Sequence, residues 1–341
     1  MWINDGGQWV HSGPKLSATD AVGRAHQGYS VALSKDGMTA LVGGPADNGG
    51  TGAAWVYTRD NAGRWTQQAK LVDNRAPGAG QGYSVALSAD GSTALVGGPF
   101  DNGFLGSVWA WGRSGSTWTQ QAKLVPLKAT GFPNLGLNSV ALSADGNIAL
   151  AGGPGDNGGV GATWVFVRSF GAWIPGQKLV GSNAVGPANQ GQAVALSDNG
   201  ATALIGGPTD DAGMGAAWVF TKGANGGWTQ YGEKLVGSPP GGGRARQGSS
   251  VALSADGIRA LVGGPGYDGN RGATWVFELL ATGLFSRAVW AQQAVLVGTD
   301  IAGGAQQGLS VALSGQGSVA IVGGPFDNGN VGAVWAFSLP R

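Results

Sequence analysis

The sequence predicts an all-β chain: a six-bladed β-propeller of four-stranded antiparallel blades, its N-terminal strand closing the last blade. Three observations lead there. Gly supplies 67 of 341 residues and only 11% are charged, a composition poor in helix formers. The string Gly-Gly-Pro recurs six times at nearly constant spacing. Each interval carries four short apolar segments separated by turn residues.

Composition narrows the function classes. With no Cys there is neither a disulfide framework nor a thiolate metal site. A net charge of +1 leaves no electrostatic footprint for nucleic acid or an anionic membrane. No apolar run reaches the ~18 residues of a spanning helix. Disorder is disfavoured by 42% hydrophobic residues and 14 Trp.

The repeat is counted twice over. Its prolines are Pro45, Pro99, Pro154, Pro208, Pro265 and Pro325. One Trp set (Trp55, Trp109, Trp164, Trp218, Trp275, Trp335) and a second (Trp9, Trp65, Trp118, Trp173, Trp228, Trp290) give six again. The repeats, at 27–72, 81–125, 136–180, 190–236, 247–297 and 307–337 completed by 8–16, fill one domain over residues 1–341.

In the first repeat, strand A is Ser30–Ser34, followed by a tight Lys35-Asp36-Gly37 turn. Strand B, Thr39–Gly43, runs into Gly44-Pro45, and Asp47-Asn48-Gly49 is a strong turn signal. Strand C is Ala53–Tyr57, and strand D is Trp65–Val72. Strands A and C are apolar or small on both faces, which fits a sheet sandwiched between two others. The last repeat stops after strand C, at Phe337. Gln8-Trp9-Val10 to Lys15-Leu16 matches the Trp-to-Lys-Leu pattern of strand D, so this segment is expected to complete the ring and remove an exposed edge.

The run Gln81–Ala86, then Ala94–Pro99, then Gly106–Trp111 resembles the FG-GAP repeat, which builds the integrin α-subunit propeller and many bacterial and fungal surface proteins. The resemblance covers all six repeats. The family's leading Phe is replaced by Gln27, Gln81, Gln190, Gln247 and Gln307, and by Gly136 in the third repeat. The family's calcium loop between strands A and B is absent; turns such as Ala89-Asp90-Gly91 hold one Asp, and calcium takes six to eight oxygens. No metal or cofactor is expected. The resemblance and the low charge imply a secreted or surface-displayed protein, although no leader is legible at the start of the sequence.

In an up-and-down blade the B–C and D–A connections share one end. That face gathers Asp47/Asn48, Asp101/Asn102, Asp156/Asn157, Asp210/Asp211, Asp327/Asn328 and, in the fifth repeat, Tyr267/Asp268. Their carboxylates and amides suit sugar hydroxyls; equally, Asp and Asn shape their own turns. The Gln set either ties down the D–A connection or lines the axial channel mouth. Arg24-Ala25-His26 and Arg244-Ala245-Arg246 break the symmetry there and could hold an acidic ligand.

Catalysis finds no constellation. His11 and His26 have no nucleophile beside them, Asp210-Asp211 has no acid/base partner, and the Gly-rich 240–246 stretch precedes a strand and not the helix a phosphate loop needs. The expected function is non-enzymatic binding: a multivalent, lectin-like carbohydrate-binding propeller. The alternative is an integrin-like protein-binding or adhesion scaffold with one asymmetric site around Arg24 and Arg244. The partners expected are glycans or a surface protein, without nucleic acid and without membrane insertion.

Overall fold

A computed structural model describes residues 2–5, 8–11, 13–238, 244–281 and 288–340, the first two of these as backbone only. Six antiparallel sheets follow one another along the chain. Blade 1 comprises β3 (Ser30–Leu33), β4 (Thr39–Gly44), β5 (Ala53–Arg59) and β6 (Trp65–Leu71). Blade 2 comprises β7 (Ser84–Leu87), β8 (Thr93–Gly98), β9 (Ser107–Ser114) and β10 (Thr117–Leu124). Blade 3 runs through β11 (Val140–Leu142), β12 (Ile148–Gly153), β13 (Ala162–Ser169) and β14 (Ala172–Leu179). Blade 4 is β15 (Ala193–Leu196), β16 (Thr202–Gly207), β17 (Ala216–Lys222) and a short β18 (Trp228–Gln230). Blade 5 is β19 (Ser250–Leu253), β20 (Arg259–Gly264), β21 (Ala273–Leu280) and β22 (Val289–Leu296). Blade 6 has three strands: β23 (Ser310–Leu313), β24 (Val319–Gly324) and β25 (Ala333–Ser338).

The first strands of all six blades surround an axial cavity of about 750 Å³. Its lining Ser, Val and Ala residues are small because six backbones converge there. Between blades, the face of one sheet carrying Leu41, Ala54, Val56 and Leu71 packs on Val96, Trp109 and Trp111 of the next. Five of the first Trp set, Trp55 to Trp275, are fully buried in this way. In blades 1 to 5 the paired glycines ending the second strand are required by that packing. A Cβ on Gly43 would collide with the Gly82 carbonyl of the following blade, and one on Gly44 with the Trp55 indole.

Five seams are laced alike. Gly52 bridges Gln81, and the pairs Gly106/Leu135, Gly161/Gln190, Gly215/Gln247 and Gly272/Gln307 repeat the contact. Near the axis a chain of backbone bonds runs from turn to turn, Lys35 N–H to Ala89 O (2.9 Å) through to Ala255 N–H to Gly315 O (2.9 Å). Gly106/Leu135 also corrects the reading of the third repeat. Leu135 occupies the Gln position and Gly136 that of Gly82, since Ser84 Oγ donates to Gly136 O as Ser30 Oγ does to Gly82 O, both at 2.8 Å.

The expected closure does not occur. Gln8–His11 (β2) pairs with Trp2–Asp5 (β1), in the register Trp2↔His11 to Asp5↔Gln8, and not with β25. The reason is local: Asp5-Gly6-Gly7-Gln8 is a two-residue hairpin sequence, and a hairpin closes a far shorter loop than a strand spanning the chain. Leu16 nonetheless packs with the cluster around Trp55, as Leu71 packs with the one around Trp109. Ala18 N–H donates to Gln27 Oε1 (2.9 Å), just as Asp73 N–H donates to Gln81 Oε1 (2.8 Å). The end of the segment is in place; its strand pairing is not. Among the described residues, no bridge or backbone bond joins blade 6 to blade 1. The facing surfaces stay bare, with Val31 and Val334 each 69% exposed.

Candidate binding face

The B–C turns and D–A connections do share one end of the ring, and the turns are built alike. Asn48 (φ 48°) and Gly49 (φ 66°) are successive left-handed residues, a conformation that Asn and Gly tolerate best. Asn102, Asn157 and Asn328 repeat it, as do Asp211 and Asp268. Those six side chains are exposed.

The preceding carboxylates are not available to a ligand. Asp47 is buried; its Oδ1 accepts the Val22 N–H (2.6 Å) and its Oδ2 receives Lys70 Nζ at 2.7 Å. The pairs Asp101–Lys123 (2.7 Å), Asp156–Lys178 (2.6 Å) and Asp210–Lys234 (2.5 Å) are equivalent. Lys70, Lys123 and Lys178 come from fourth strands and Lys234 follows the short β18; in blade 1 the register Trp55↔Lys70 sets the lysine beside the buried Trp, 5.3 Å from the ring centre. The pair therefore clamps the D–A connection and the fourth strand onto the blade. In the fifth repeat Tyr267 replaces the Asp and packs edge-on to Trp275, at 5.5 Å. Asp327, also buried, accepts the Ala302 N–H (2.8 Å) but among the described residues pairs with no lysine.

The Gln set ties the connections and does not line the channel. Gln81, Gln190, Gln247 and Gln307 are fully buried. Gln81 holds both the N–H and the carbonyl of Asp73, at 2.8 and 2.9 Å. Gln27 accepts from Ala18 and donates to Tyr57 Oη. The mouth is formed two residues further on, by Tyr29, Tyr83, Gln192, Ser249 and Leu309, and in blade 3 by Asn138, three residues beyond Leu135.

Two asymmetric features share this face. The first is an aromatic arc: Tyr29–Tyr83 (4.9 Å), Tyr83–Phe100 (5.0 Å), Phe100–Phe104 (5.7 Å) and Phe104–Phe132 (6.5 Å) meet edge to face. Tyr29, Phe104 and Phe132 are more than half exposed. Burial, then the neighbouring Tyr83, raises the Tyr29 hydroxyl pKa. Phe104 adopts φ 70° at the position of Gly50 and Gly159, a strained conformation for a bulky residue and one associated with functional sites. The second feature is a cleft of about 570 Å³ lined by Pro208, Thr209, Gly213, Arg244, Arg246 and Asn270. Both arginines are exposed and, among the described residues, neither pairs with a carboxylate. Arg24 does not line this cleft, and residues 240–243 of the Gly-rich stretch lie outside the described residues.

The repeat model for the FG-GAP repeat matches residues 12–57. That match spans one of the six repeats, and the chain as a whole folds as a six-bladed β-propeller. No curated protein sequence matches it. Among solved structures it is similar to a functionally unknown protein from Desulfotomaculum acetoxidans DSM 771, at 11% identity and TM-score 0.57, over 91% of this chain and 81% of that one. It is also similar to Kuenenia stuttgartiensis hydrazine synthase, at 12% identity and TM-score 0.52, over 96% and 99%. At such identities the likeness is one of fold.

In four of the six blades the A–B turn binds its own acid. Ser34 Oγ and the Met38 N–H donate to Asp36, and these bonds, the Ser34 hydroxyl foremost, lower its pKa. Asp90, Asp145 and Asp256 repeat the arrangement. Among the described residues no group of three or more acidic or His side chains could hold a metal. The sequence reading missed the arc, drawn from three repeats: Tyr29 and Tyr83 share one repeat position, but Phe100, Phe104 and Phe132 each stand at another. Its one available signal was the excess of Phe and Tyr in the turns and connections of those repeats.

Proposed function

We propose that the chain is a non-enzymatic binding module, secreted or surface-displayed, that engages a protein partner through the face bearing the aromatic arc and the arginine cleft. The arc carries this reading. Exposed aromatics and Arg are the side chains enriched at energetically dominant interface positions. An interface also accounts for Phe104, whose strain brings no burial in the free chain. The asymmetry, with aromatics on blades 1 to 3 and arginines between blades 4 and 5, fits one oriented partner better than six equivalent ligands.

A multivalent glycan-binding ring is supported by a different observation, the exposed Asn at equivalent positions in four repeats. It is weakened by burial of five of the first Trp set, Trp55 to Trp275, which leaves those rings unavailable for stacking on sugars, and by the Asp–Lys pairs. A glycan array run beside surface-protein binding assays separates the readings. The protein reading expects an empty array and one partner per chain, lost in a Phe104→Ser/Phe132→Ser variant that still folds. Several sugars per chain, retained by that variant, would overturn it.

A further inference from the structure

Residues 244–246 straddle the seam between blades 4 and 5. The Arg246 N–H donates to Gly213 O of the blade 4 turn (2.9 Å), and Ala245 O accepts from the Gly266 N–H at the blade 5 turn (3.1 Å). Ala245 is fully buried, and the arginines on either side of it are exposed. Their methylene stems rest on glycine backbone. A Cβ on Gly213 would stand 3.2 Å from Arg244 Cγ and Cδ, and one on Gly266 3.3 Å from Arg246 Cγ. Backbone and stems are thus seated before any ligand arrives, which lowers the ordering cost of binding.

The carboxylates of the two flanking turns are engaged elsewhere. Asp210 holds Lys234, and Asp268 lies 3.7 Å from Arg271. Asp211 is exposed and, among the described residues, pairs with neither Arg244 nor Arg246. Residues 239–243, Pro-Pro-Gly-Gly-Gly, bring no acidic side chain. Backbone strain gathers at the same cleft. Ala212 adopts φ 54° where the other five turns have Gly, and Arg246 adopts φ 56°. Both residues are exposed, so burial in the free chain does not offset either conformation.

We propose that this cleft of about 570 Å³ receives an acidic segment of the protein partner, with Asp or Glu carboxylates held by the planar forks of Arg244 and Arg246. The assignment rests on the protein-binding reading above and names the chemistry of its partner. The cleft is far larger than one carboxylate, which is why a segment and not a free anion fills it. The exposed Asn270 amide lines the same cleft and offers donors to the segment's carbonyls.

The test is fluorescence anisotropy with a labelled Gly-Glu-Asp-Glu-Gly peptide and the intact chain at low ionic strength. Saturable one-to-one binding is expected, and none with the neutral Gly-Gln-Asn-Gln-Gly peptide. Arg244→Ala/Arg246→Ala should weaken binding about tenfold or more. Arg244→Lys/Arg246→Lys keeps the net charge but loses the fork, and should give an intermediate loss. Circular dichroism should be unchanged in both variants. Absence of saturation, or equal affinity in the parent and the lysine variant, overturns the proposal. So does binding of a phosphoserine peptide where the Glu-Asp-Glu peptide fails. Partner binding that depends on Phe104 and Phe132 while the acidic peptide does not bind would leave the protein-binding reading standing and sink this assignment alone.

Discussion

The seam between blades 1 and 2 and the gap between blades 6 and 1 are built from the same repeat, yet one is laced and the other open. At the first, Leu41, Ala54 and Val56 are fully buried against the next blade, and Ser30 and Lys35 bond across it. At the second, the equivalents Ile321, Val334 and Ala336 are exposed, and Val31 and Leu33 face them uncovered. Among the described residues, the missing part is the fourth strand of blade 6. That strand supplies the lysine that neutralises the turn carboxylate, whereas the leucine position on the following blade's Trp is filled, by Leu16. Adhesion between blades therefore depends on an element at the rim as much as on the apolar faces themselves.

The largest expected contrast is in packing. Leu41→Ala should cost about 2–5 kcal/mol, because it leaves a cavity in a closed seam. Val334→Ser at the open seam should stay within about 0.5 kcal/mol. Chemical denaturation of both variants measures the difference, and equal losses would mean that the sixth seam is closed in solution.

Next come the carboxylates. Asp47→Ala strands Lys70 in a largely buried site and should cost about 3–5 kcal/mol, whereas Asp327→Ala loses one hydrogen bond, about 1 kcal/mol. Similar denaturation midpoints for the two variants would reveal a cation on Asp327.

A smaller effect is pH-dependent and tests a closed seam. Asp73 accepts from Arg75, its largest influence, and from the Trp109 indole of the next blade, so its pKa is held well below the usual carboxylate range. A depressed folded-state pKa contributes stability that is present above the unfolded value, about 3.9, and is lost as pH falls below it. The melting-temperature gap between the parent chain and Asp73→Asn should therefore be constant above about pH 5 and narrow below pH 4. A gap that widens in acid would reverse the assignment.

The smallest effect on folding is expected at the exposed turns. Changing Asn48, Asn102, Asn157 and Asn328 to Asp keeps much of the left-handed preference, as the native Asp211 and Asp268 show at the same position. The circular dichroism spectrum should be unchanged. Loss of retention on a glycan column, where the parent is retained, would favour the multivalent sugar reading; unaltered binding of a protein partner would favour the arc.

Much of this was legible without coordinates. Spacing of Gly-Gly-Pro and of two Trp sets counts the blades, and alternation between apolar segments and turn residues counts the strands, because both are periodic signals written within each repeat. The Asp-Asn-Gly turns were legible for the same reason. Their two roles were not: the Asp turns inward and the Asn outward, and only the pairing of the third and fourth strands brings Lys70 to Asp47. The one-residue slip at Gly136 arose because Leu135 keeps the backbone bridge without the amide that marks it elsewhere.

The amino-acid sequence by itself determined an all-β, six-fold repeated chain with a Trp core and Asn-bearing turns, since these follow from local propensity and period. The tertiary structure decided which polar groups remain free, how five aromatics from three repeats meet in one arc, and that the N-terminal strand pairs locally and leaves β25 bare. Those outcomes depend on competition between contacts far apart in the chain, where the entropy of loop closure and the register of neighbouring strands set the result.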